Sequence, residues 1–301
     1  YMLKDYKKNE KTLRVKTKKP LVTIGMPVFN CDKYIAEAIE SVLNQSYKNI
    51  QLIISDNSSN DRTLDICIDY QLKDDRIKLY KQKKNMGMFW NYNFVLQKAK
   101  SEYFVWACGD DTFNYNFINQ TLKTYKNNEN IVCVMTDVQS IDSESNKIDK
   151  FSLENIRYKK TVKNWIKVRR DFFMNPTSNI FFCWFGLMKT KALKDISIDY
   201  NGLVKRETSS ELPLLAQVAL IGKIVSIPRI LKYYRVHDES LYKRQNKSST
   251  KIEKFKNEII VSSILMHITC TSNLRYSEKI ILYLTTILTG FKHFKLLIRS
   301  K

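Results

Sequence analysis

Five short apolar runs, each about the length of one buried strand, are separated in the first half of the chain by segments with helical periodicity. Between the runs, apolar residues recur at three- and four-residue spacing, most clearly over 34–43, 63–72 and 84–100. Strands that alternate with amphipathic helices are typical of βαβ units, in which successive strands lie parallel. The sequence therefore predicts an α/β fold with a mostly parallel sheet flanked by helices. The runs are residues 21–28, 50–55, 76–80, 102–107 and 131–135.

The second half of the chain has weaker patterns. Residues 137–160 are polar, and we expect them to be irregular. Residues 209–222 have the length and apolar content of a helix, whereas 223–237 predict either a strand pair or one extended segment. From residue 251 onwards the pattern predicts two helices joined around 271–275.

Polar side chains follow three of the predicted strands at the point where each strand ends. The clusters are Pro27–Asn30, Asp56–Ser59 and Gly109–Asp111. In open parallel sheets ligands bind at the carboxyl ends of the strands, so we expect these clusters to lie along one edge of the sheet. Asp110 and Asp111 are adjacent like charges, which must be solvated or paired. They indicate either a solvated turn that caps a helix or a site for a divalent cation.

The 301 residues carry a formal net charge of +21, most of it near the two ends. Residues 1–19 contain eight Lys/Arg and two acidic residues, a net charge of +6, and residues 243–301 contain twelve and three, a net charge of +9. We therefore expect a basic N-terminal arm (1–19), a central domain (20–242) and a basic helical C-terminal extension (243–301). A nucleic-acid-binding protein would cluster its charge with aromatic residues on one face of the folded domain. Here the charge lies at the two ends and no binding motif is found, so we expect no nucleic-acid partner.

The cysteines and histidines exclude two common classes of stabilised fold. Six scattered cysteines without a C-x-x-C pair predict free thiols in a reducing compartment. Three histidines without metal-like spacing argue against a zinc site. No apolar stretch reaches the roughly 18–20 residues that span a bilayer. We therefore expect a cytoplasmic location.

Five motifs in order give the chain its resemblance to a known family. The first strand ends in Pro27-Val28-Phe29-Asn30, and the next helix carries Ser41-Val42-Leu43-Asn44-Gln45. Asp56–Thr63 is an Asp-rich segment, Asn85-Met86-Gly87 is followed by Asn93, and Asp110-Asp111 closes the fourth strand. Over about residues 20–240 the chain resembles glycosyltransferase family 2. The resemblance implies a GT-A (Rossmann-like) fold for the central domain.

The resemblance also implies a donor site for a nucleotide sugar at the strand ends. Asp56 would accept hydrogen bonds from the base or ribose, and Pro27 and Val28 would hold the base through backbone groups. Asp110 would lie at the ribose and diphosphate. Asp111 would bind Mn²⁺ or Mg²⁺, cations that prefer hard oxygen ligands. The motifs add two further donor-binding residues, Asn30 and Asn93.

The resemblance further implies a catalytic base and a closing motif. Inverting transfer needs a carboxylate that takes the proton of the acceptor hydroxyl. Glu211 stands where the family has this base, and Glu207 is the alternative. Tyr234-Arg235-Val236-His237 is similar to the family's Tyr-Arg-x-His motif, in which Arg235 would meet the donor diphosphate and His237 the metal. Residues 184–186 lie where the family often forms its acceptor wall; Trp184 and Phe185 belong either to that wall or to the core.

These features predict a metal-dependent inverting glycosyltransferase. It would move a sugar from a nucleotide-diphosphate donor, with a UDP-sugar favoured by family frequency, to a hydroxyl of a glycan or lipid-linked acceptor in surface polysaccharide synthesis. A nucleotidyltransferase is one alternative, although the Gly-rich phosphate loop that it would normally carry is missing from 25–30. A catalytically inactive relative is another, because Cys108 stands where the family often has the first Asp of Asp-x-Asp-Asp.

The C-terminal extension lies outside the resemblance. Its apolar helices are flanked by lysines, a combination that suits an anionic membrane surface. It would then hold the protein peripherally at the inner face of the plasma membrane. The same helices would equally serve as a packing surface on the central domain or on a second subunit, which predicts a homo-oligomer.

Overall fold

The computed structural model describes residues 19–126, 130–151, 184–196 and 211–238, together with positions 259, 263–267, 270, 276–277, 279–280, 284 and 287. The basic arm, apart from Lys19, lies outside the described residues, as does Glu207. Nine strands and six helices are described, and all nine strands belong to one sheet. The strands are β1 (Val22–Val28), β2 (Ile50–Asp56), β3 (Ile77–Lys81), β4 (Tyr103–Trp106), β5 (Thr112–Phe113), β6 (Ile131–Ile141), β7 (Lys147–Phe151), β8 (Leu187–Lys189) and β9 (Lys223–Arg235). The helices are α1 (Ile35–Leu43), α2 (Thr63–Lys73), α3 (Met88–Lys98), α4 (Phe117–Tyr125), α5 (Thr190–Lys194) and α6 (Glu211–Ile221).

The N-terminal half of the sheet is parallel, as the alternation of apolar runs and helices predicts. The strand order is β3-β2-β1-β4-β8-β6-β9-β5, with β7 paired to β6. β1 pairs in parallel with both β2 and β4, and β2 pairs in parallel with β3. All seven residues of β1 are buried, because helices cover both faces of the strand.

The core lies in two clusters, one on each face of the sheet. Alternate residues of a strand point to opposite faces, and β4 shows this directly. Val105 lies in the cluster with α1 and α4, whereas Phe104 and Trp106 lie in the cluster with α3 and α6. α1 contributes its buried stripe of Ile35, Ala38, Ile39 and Val42 to the first of these clusters.

The C-terminal half of the sheet is mixed. β8 is antiparallel to both β4 and β6, whereas β6 and β9 are parallel. The expectation of an irregular 137–160 is wrong for its first part, since β6 continues to Ile141 and forms a hairpin with β7. The polar side chains of this strand find partners within the hairpin: Gln139 Nε2 and Ser140 Oγ both donate to the Asp149 carbonyl, over 2.9 and 3.0 Å.

Residues 223–235 form one long strand and not a strand pair. The register of β9 against β6 shifts between Ile227 and Ile230 and again before Lys232. Such bulges re-aim the side chains that follow them. After the second shift Lys232 and Arg235 are almost completely buried, and both face the connection between β4 and β5.

No side chain caps the start of α1; the backbone N–H groups of Tyr34 and Ile35 donate to the Cys31 carbonyl. The described cysteines are all free thiols, as expected, and Cys183 lies outside the described residues. The free thiols are Cys31, Cys67, Cys108, Cys133 and Cys270.

Part of the C-terminal extension packs on the core. Ile264 and Leu265 are buried, and Leu265 belongs to the same cluster as Leu214 of α6. The boundary at residue 243 stays a prediction. Among the residues that the structure describes, no helix combines the length and the apolar character needed to cross a lipid bilayer.

Candidate donor and metal site

The polar segments that follow β1 and β2 are hydrogen-bonded to each other. The Asn57 N–H donates to the Val28 carbonyl over 2.9 Å, and the Asn30 N–H donates to Ser59 Oγ over 3.0 Å. In return the Asn60 N–H donates to Asn30 Oδ1 over 3.0 Å. The structure therefore brings the predicted Val28, Asn30 and Asp56 to one edge of the sheet, with Pro27 beside them in β1.

Asp56 has one carboxylate oxygen that the protein leaves open. The residue is 0% exposed, and its Oδ2 accepts the Ser59 N–H over 3.1 Å. Its Oδ1 is buried and has no hydrogen-bond partner among the described residues. A buried acceptor without a donor is costly. This oxygen can therefore accept a hydrogen bond from an N–H or O–H group of a ligand or of water.

The loop after β3 is tied to the same edge. Asn57 is 2% exposed, and its Nδ2 donates to Asn85 Oδ1 and to the Gly87 carbonyl over 3.0 and 3.2 Å. Its Oδ1 accepts the Met86 N–H over 2.9 Å. Gly87 has φ +90°, a conformation that favours glycine, and it directly precedes α3. The Asn-x-Gly motif thus shapes a loop wall of the site.

Asn91 and Tyr92 of α3 reach the strand ends, and sequence reasoning missed both. Asn91 Nδ2 donates to the Ser55 carbonyl over 2.8 Å, and its buried Oδ1 has no partner in the described part of the chain. The predicted Asn93 instead accepts a hydrogen bond from Gln97 Nε2, one turn along the helix. Only the unpartnered oxygen distinguishes Asn91, and that signal needs coordinates.

The two adjacent aspartates point to different partners. The Asp110 side chain is 30% exposed, and its Oδ2 lies 3.1 Å from His237 Nε2. The Asp111 side chain is 1% exposed; Oδ2 pairs with Lys232 Nζ over 2.9 Å, and Oδ1 accepts the Arg235 N–H over 3.0 Å. Asp111 was predicted to bind the metal, yet both of its oxygens are engaged by β9.

Lys232 is a buried cation that the sequence analysis did not single out. Its side chain is 2% exposed, and Nζ lies 4.6 Å from the ring centroid of Phe113 and 4.2 Å from that of Phe185. Aromatic faces and a carboxylate therefore replace water around the ammonium. Burial raises the pKa of the Asp111 carboxyl, and the charge of Lys232 opposes that rise.

Arg235 is present at the site, but its guanidinium is bonded to the protein. Nε donates to the Asp110 carbonyl and Nη1 to the Asp142 carbonyl, over 2.9 and 3.0 Å. Nη2 pairs with Glu37, and the group lies 4.7 Å from the ring centroid of Tyr34. The side chain is 1% exposed, and its contact with a donor diphosphate stays a prediction.

Cys108 is partly exposed, and its thiol contacts Tyr92. Its Sγ lies 3.2 Å from the Tyr92 hydroxyl, and burial raises the pKa of the thiol well above its ordinary value. The metal-ligating atoms of Cys108, Asp110 and Asp111 lie within 4.8 Å of one another. A Cβ at Gly109 would lie 2.6 Å from Cys31 Sγ, so glycine at this position lets the Cys108–Asp111 segment pack against the start of α1.

The residues predicted for the acceptor side lie in two places, the core and the start of α6. Trp184 and Phe185 are 3% and 5% exposed, and the Trp184 ring stacks on Trp106 at 4.5 Å. Both side chains therefore belong to the core, which decides between the two interpretations of this segment. Glu211 is the first residue of α6, as predicted for a base that opens a helix.

The family model of glycosyl transferase family 2 matches residues 23–197. A glycosyltransferase of Methanocaldococcus jannaschii is 29% identical over 183 residues, which are 60% of this chain and 60% of that protein. The chondroitin synthase of Escherichia coli is 31% identical over 144 residues, which are 48% of this chain and 21% of that protein. The match thus spans 60% or less of the length of each of these two relatives.

Two solved structures share the fold. The S. aureus TarS structure with UDP-GlcNAc has a TM-score of 0.68 and 15% identity, and the match covers 93% of this chain and 76% of that chain. The mannosyltransferase of Pyrobaculum calidifontis with GDP-Man and Mn²⁺ has a TM-score of 0.57 and 12% identity, covering 95% and 77%. The predicted fold class is confirmed. With its family model covering more than half of its length, the chain belongs to glycosyltransferase family 2.

The buried guanidinium of Arg235 gives a stability prediction. Arg235→Met would leave the carbonyls of Asp110 and Asp142 without their donor, so we expect the free energy of unfolding to fall by about 3 kcal/mol. Urea unfolding followed by circular dichroism measures the change. The matched control is Arg229→Met, an exposed arginine of the same strand, which should change stability by less than about 0.5 kcal/mol. Equal effects at the two positions would contradict the structural role of Arg235.

Proposed function

We propose that this protein is a metal-dependent inverting glycosyltransferase that uses a nucleotide-diphosphate sugar. The observation that carries the proposal is that two carboxylates at one edge of the sheet can each contact a ligand. These are the buried, unpartnered Oδ1 of Asp56 and the half-exposed carboxylate of Asp110 beside His237. Asp56 suits the nucleoside end of a donor, and Asp110 suits its diphosphate end. Membership of the family supports the reaction class.

The nucleoside would lie against the segments after β1, β2 and β3. Asp56 Oδ1 accepts an N–H of the base or a hydroxyl of the ribose. The Val28 carbonyl already accepts the Asn57 N–H, but a carbonyl has a second lone pair for the base. Pro27, Asn30 and Asn91 complete this wall. Among these residues, Asn91 takes the place that we first expected for Asn93.

Asp110 and His237 would hold Mn²⁺ or Mg²⁺, and Asp111 would not. Oδ2 of Asp110 and Nε2 of His237 lie 3.1 Å apart, a separation at which both atoms can contact one small cation. The bound cation would neutralise charge on the diphosphate leaving group. A carboxylate with one imidazole fits the chemistry of the expected metals, because phosphate oxygens of the donor and water would supply the other ligands. The Cys108 thiol, a soft ligand, is outside this set.

The acceptor would react from the side opposite the diphosphate. The acceptor oxygen forms a bond to the anomeric carbon while the bond from that carbon to the diphosphate oxygen breaks. Glu211 takes the proton of the acceptor hydroxyl, and the nucleoside diphosphate leaves with its electron pair. One displacement inverts the anomeric configuration. The acceptor class that we propose is a hydroxyl of a glycan or a lipid-linked sugar in surface polysaccharide synthesis.

A UDP-sugar is the donor that we favour. TarS was solved with UDP and with UDP-GlcNAc, and these two structures have TM-scores of 0.65 and 0.68, against 0.57 for the mannosyltransferase. The mannosyltransferase with GDP-Man keeps a GDP-sugar as the alternative. A nucleotidyltransferase or a binding protein without activity remains as a second outcome of the experiments below, and no observation in the described residues favours either.

Ligand-induced stabilisation tests the donor site. We expect one nucleotide among UDP, GDP and dTDP, with UDP favoured, to raise the melting temperature by about 3 °C in the presence of Mn²⁺ and by much less without it. Asp110→Asn should remove the part of the shift that depends on metal. Asp149→Asn, at an exposed aspartate of β7, is the control and should keep the full shift. The absence of any shift with all three nucleotides would contradict the proposal.

Substitution of the base separates binding from catalysis. Glu211→Gln should lower the transfer rate by about 10²–10⁴-fold, because the amide cannot accept the proton. The stabilisation by nucleotide and Mn²⁺ should persist. The assay is release of the nucleoside diphosphate in the presence of a panel of glycan acceptors. Glu207→Gln is the matched control, and loss of activity in that variant alone would assign the base to Glu207.

The C-terminal extension presents an apolar stripe that we propose to face anionic lipid. Tyr276, Ile280, Leu284 and Ile287 follow helical spacing, and all are at least 39% exposed. They lie in the region with a net charge of +9, which complements a negatively charged membrane surface. A peripheral position at the cytoplasmic face of the membrane would bring the donor site close to a lipid-linked acceptor.

Flotation with liposomes tests this contact. The full chain should float with phosphatidylglycerol vesicles and less with phosphatidylcholine vesicles, and the double variant Ile280→Ser/Leu284→Ser should lose most of the binding. Leu72→Ser, at an apolar residue of α2 that is 80% exposed, is the matched control. If the chain stays unbound and forms a homo-oligomer that the double variant dissociates, the stripe is a subunit interface and not a lipid contact.

A further inference from the structure

We infer that Asp111 and Lys232 form a positioning pair that holds Asp110 in place for metal binding, and that Asp111 is not itself a metal ligand. The inference rests on the proposed function, because it concerns the proposed metal site. It assigns a role to a buried lysine that lies outside every motif found in the sequence.

One strand holds both aspartates. β9 makes three polar contacts with the dipeptide: Lys232 Nζ to Asp111 Oδ2 at 2.9 Å, the Arg235 N–H to Asp111 Oδ1 at 3.0 Å, and Arg235 Nε to the Asp110 carbonyl at 2.9 Å. His237, two residues beyond the end of β9, adds a fourth, from Nε2 to Asp110 Oδ2 at 3.1 Å. Immediately afterwards β5 pairs with β9, opposing Thr112 to Tyr233 and Phe113 to Lys232. The β4–β5 connection is therefore fixed to β9 along its whole acidic end.

The surroundings of Lys232 explain why Asp111 has to stay with it. If Asp111 turned towards a cation, the ammonium would be left buried between the rings of Phe113 and Phe185 without its counter-ion. Breaking a buried ion pair by removing one partner is strongly unfavourable. A divalent cation on Asp111 would also lie close to the positive charge of Lys232, and like charges repel.

The pair also determines which way Asp110 points. Asp111 is bound inward, and the preceding carboxylate is left outward, 30% exposed and beside His237. Residues that orient a metal ligand without touching the metal commonly change metal affinity by about 10–100-fold when they are substituted. We therefore expect Lys232 and Asp111 to affect metal affinity through Asp110.

Two variants distinguish a positioning role from a ligand role. Lys232→Met removes the ammonium. If Asp111 is a ligand, this change frees a carboxylate and removes a repelling charge, so Mn²⁺ affinity should stay the same or increase. If the pair positions Asp110, affinity should fall by about tenfold. The double variant Asp111→Asn/Lys232→Met removes both charges together, a change that buried ion pairs often tolerate.

The measurement is Mn²⁺ binding to the full chain with saturating UDP, monitored through the electron paramagnetic resonance signal of free Mn²⁺. Urea unfolding of each variant checks that it is folded. We expect Lys232→Met to bind Mn²⁺ about tenfold more weakly than the unmodified protein, and the double variant to bind no more weakly than Lys232→Met, because Asp111 acts only through the pair. Asp110→Asn is the reference for loss of a ligand. A double variant as weak as Asp110→Asn, or a Lys232→Met variant that binds as well as the unmodified protein, would overturn the inference while leaving the proposed function intact. No Mn²⁺ binding by the unmodified protein with any nucleotide would overturn both.

Discussion

Two carboxylates next to each other at the end of a buried strand repel each other, and the site depends on how that repulsion is resolved. The protein pairs Asp111 inward with Lys232 and turns Asp110 outward to His237. A charge at the inner position is tolerated only because an opposite charge and a backbone N–H meet it there. The outer position retains enough exposure for a ligand. The different surroundings of the two aspartates are therefore a consequence of burial: Asp111 is enclosed and paired, and Asp110 is partly exposed.

The C-terminal half of the sheet positions the segment that carries Asp110 and Asp111. The two register shifts in β9 turn Lys232 and Arg235 towards the β4–β5 connection. Arg235 then joins three segments, since its guanidinium contacts α1 through Glu37, the Asp110 carbonyl and the β6–β7 turn at Asp142. Gly109 permits the close approach of the connection to Cys31. The motif Tyr-Arg-x-His thus combines one residue that faces the site with one that holds the surrounding loops together.

The parallel half of the fold could be predicted from the sequence, because its strands are continuous apolar runs and its helices have clear stripes. The position of Asp56 followed from the same reasoning, since a polar residue at the end of such a strand lies at the ligand edge. The extension of β6 to Ile141 could not be predicted: Gln139 and Ser140 are polar, and the carbonyl that accepts their hydrogen bonds belongs to Asp149 across the hairpin. Local sequence carries no record of such a partner.

The roles of individual charged residues were the hardest to predict. Lys232 looks in sequence like an ordinary solvated lysine, and Arg235 like a ligand-binding arginine, because burial depends on the bulges of β9. Asp110 and Asp111 are chemically identical neighbours, so only the fold distinguishes them. Asn91 and Asn93 meet different partners for a similar reason: two residues along a helix change the face by about 200°, so Asn91 bonds the Ser55 carbonyl and Asn93 bonds Gln97.

The most direct measurement is anomalous diffraction at the manganese absorption edge from crystals grown with UDP and Mn²⁺. We expect one manganese peak bonded to Asp110 and His237, with the uridine beside Asp56 and with Asp111 still paired to Lys232. A manganese ion bonded to Asp111, with Lys232 displaced from it, would contradict the division of the two carboxylates. UDP bound elsewhere on the protein, away from the ends of β1, β2 and β4, would contradict the donor site itself.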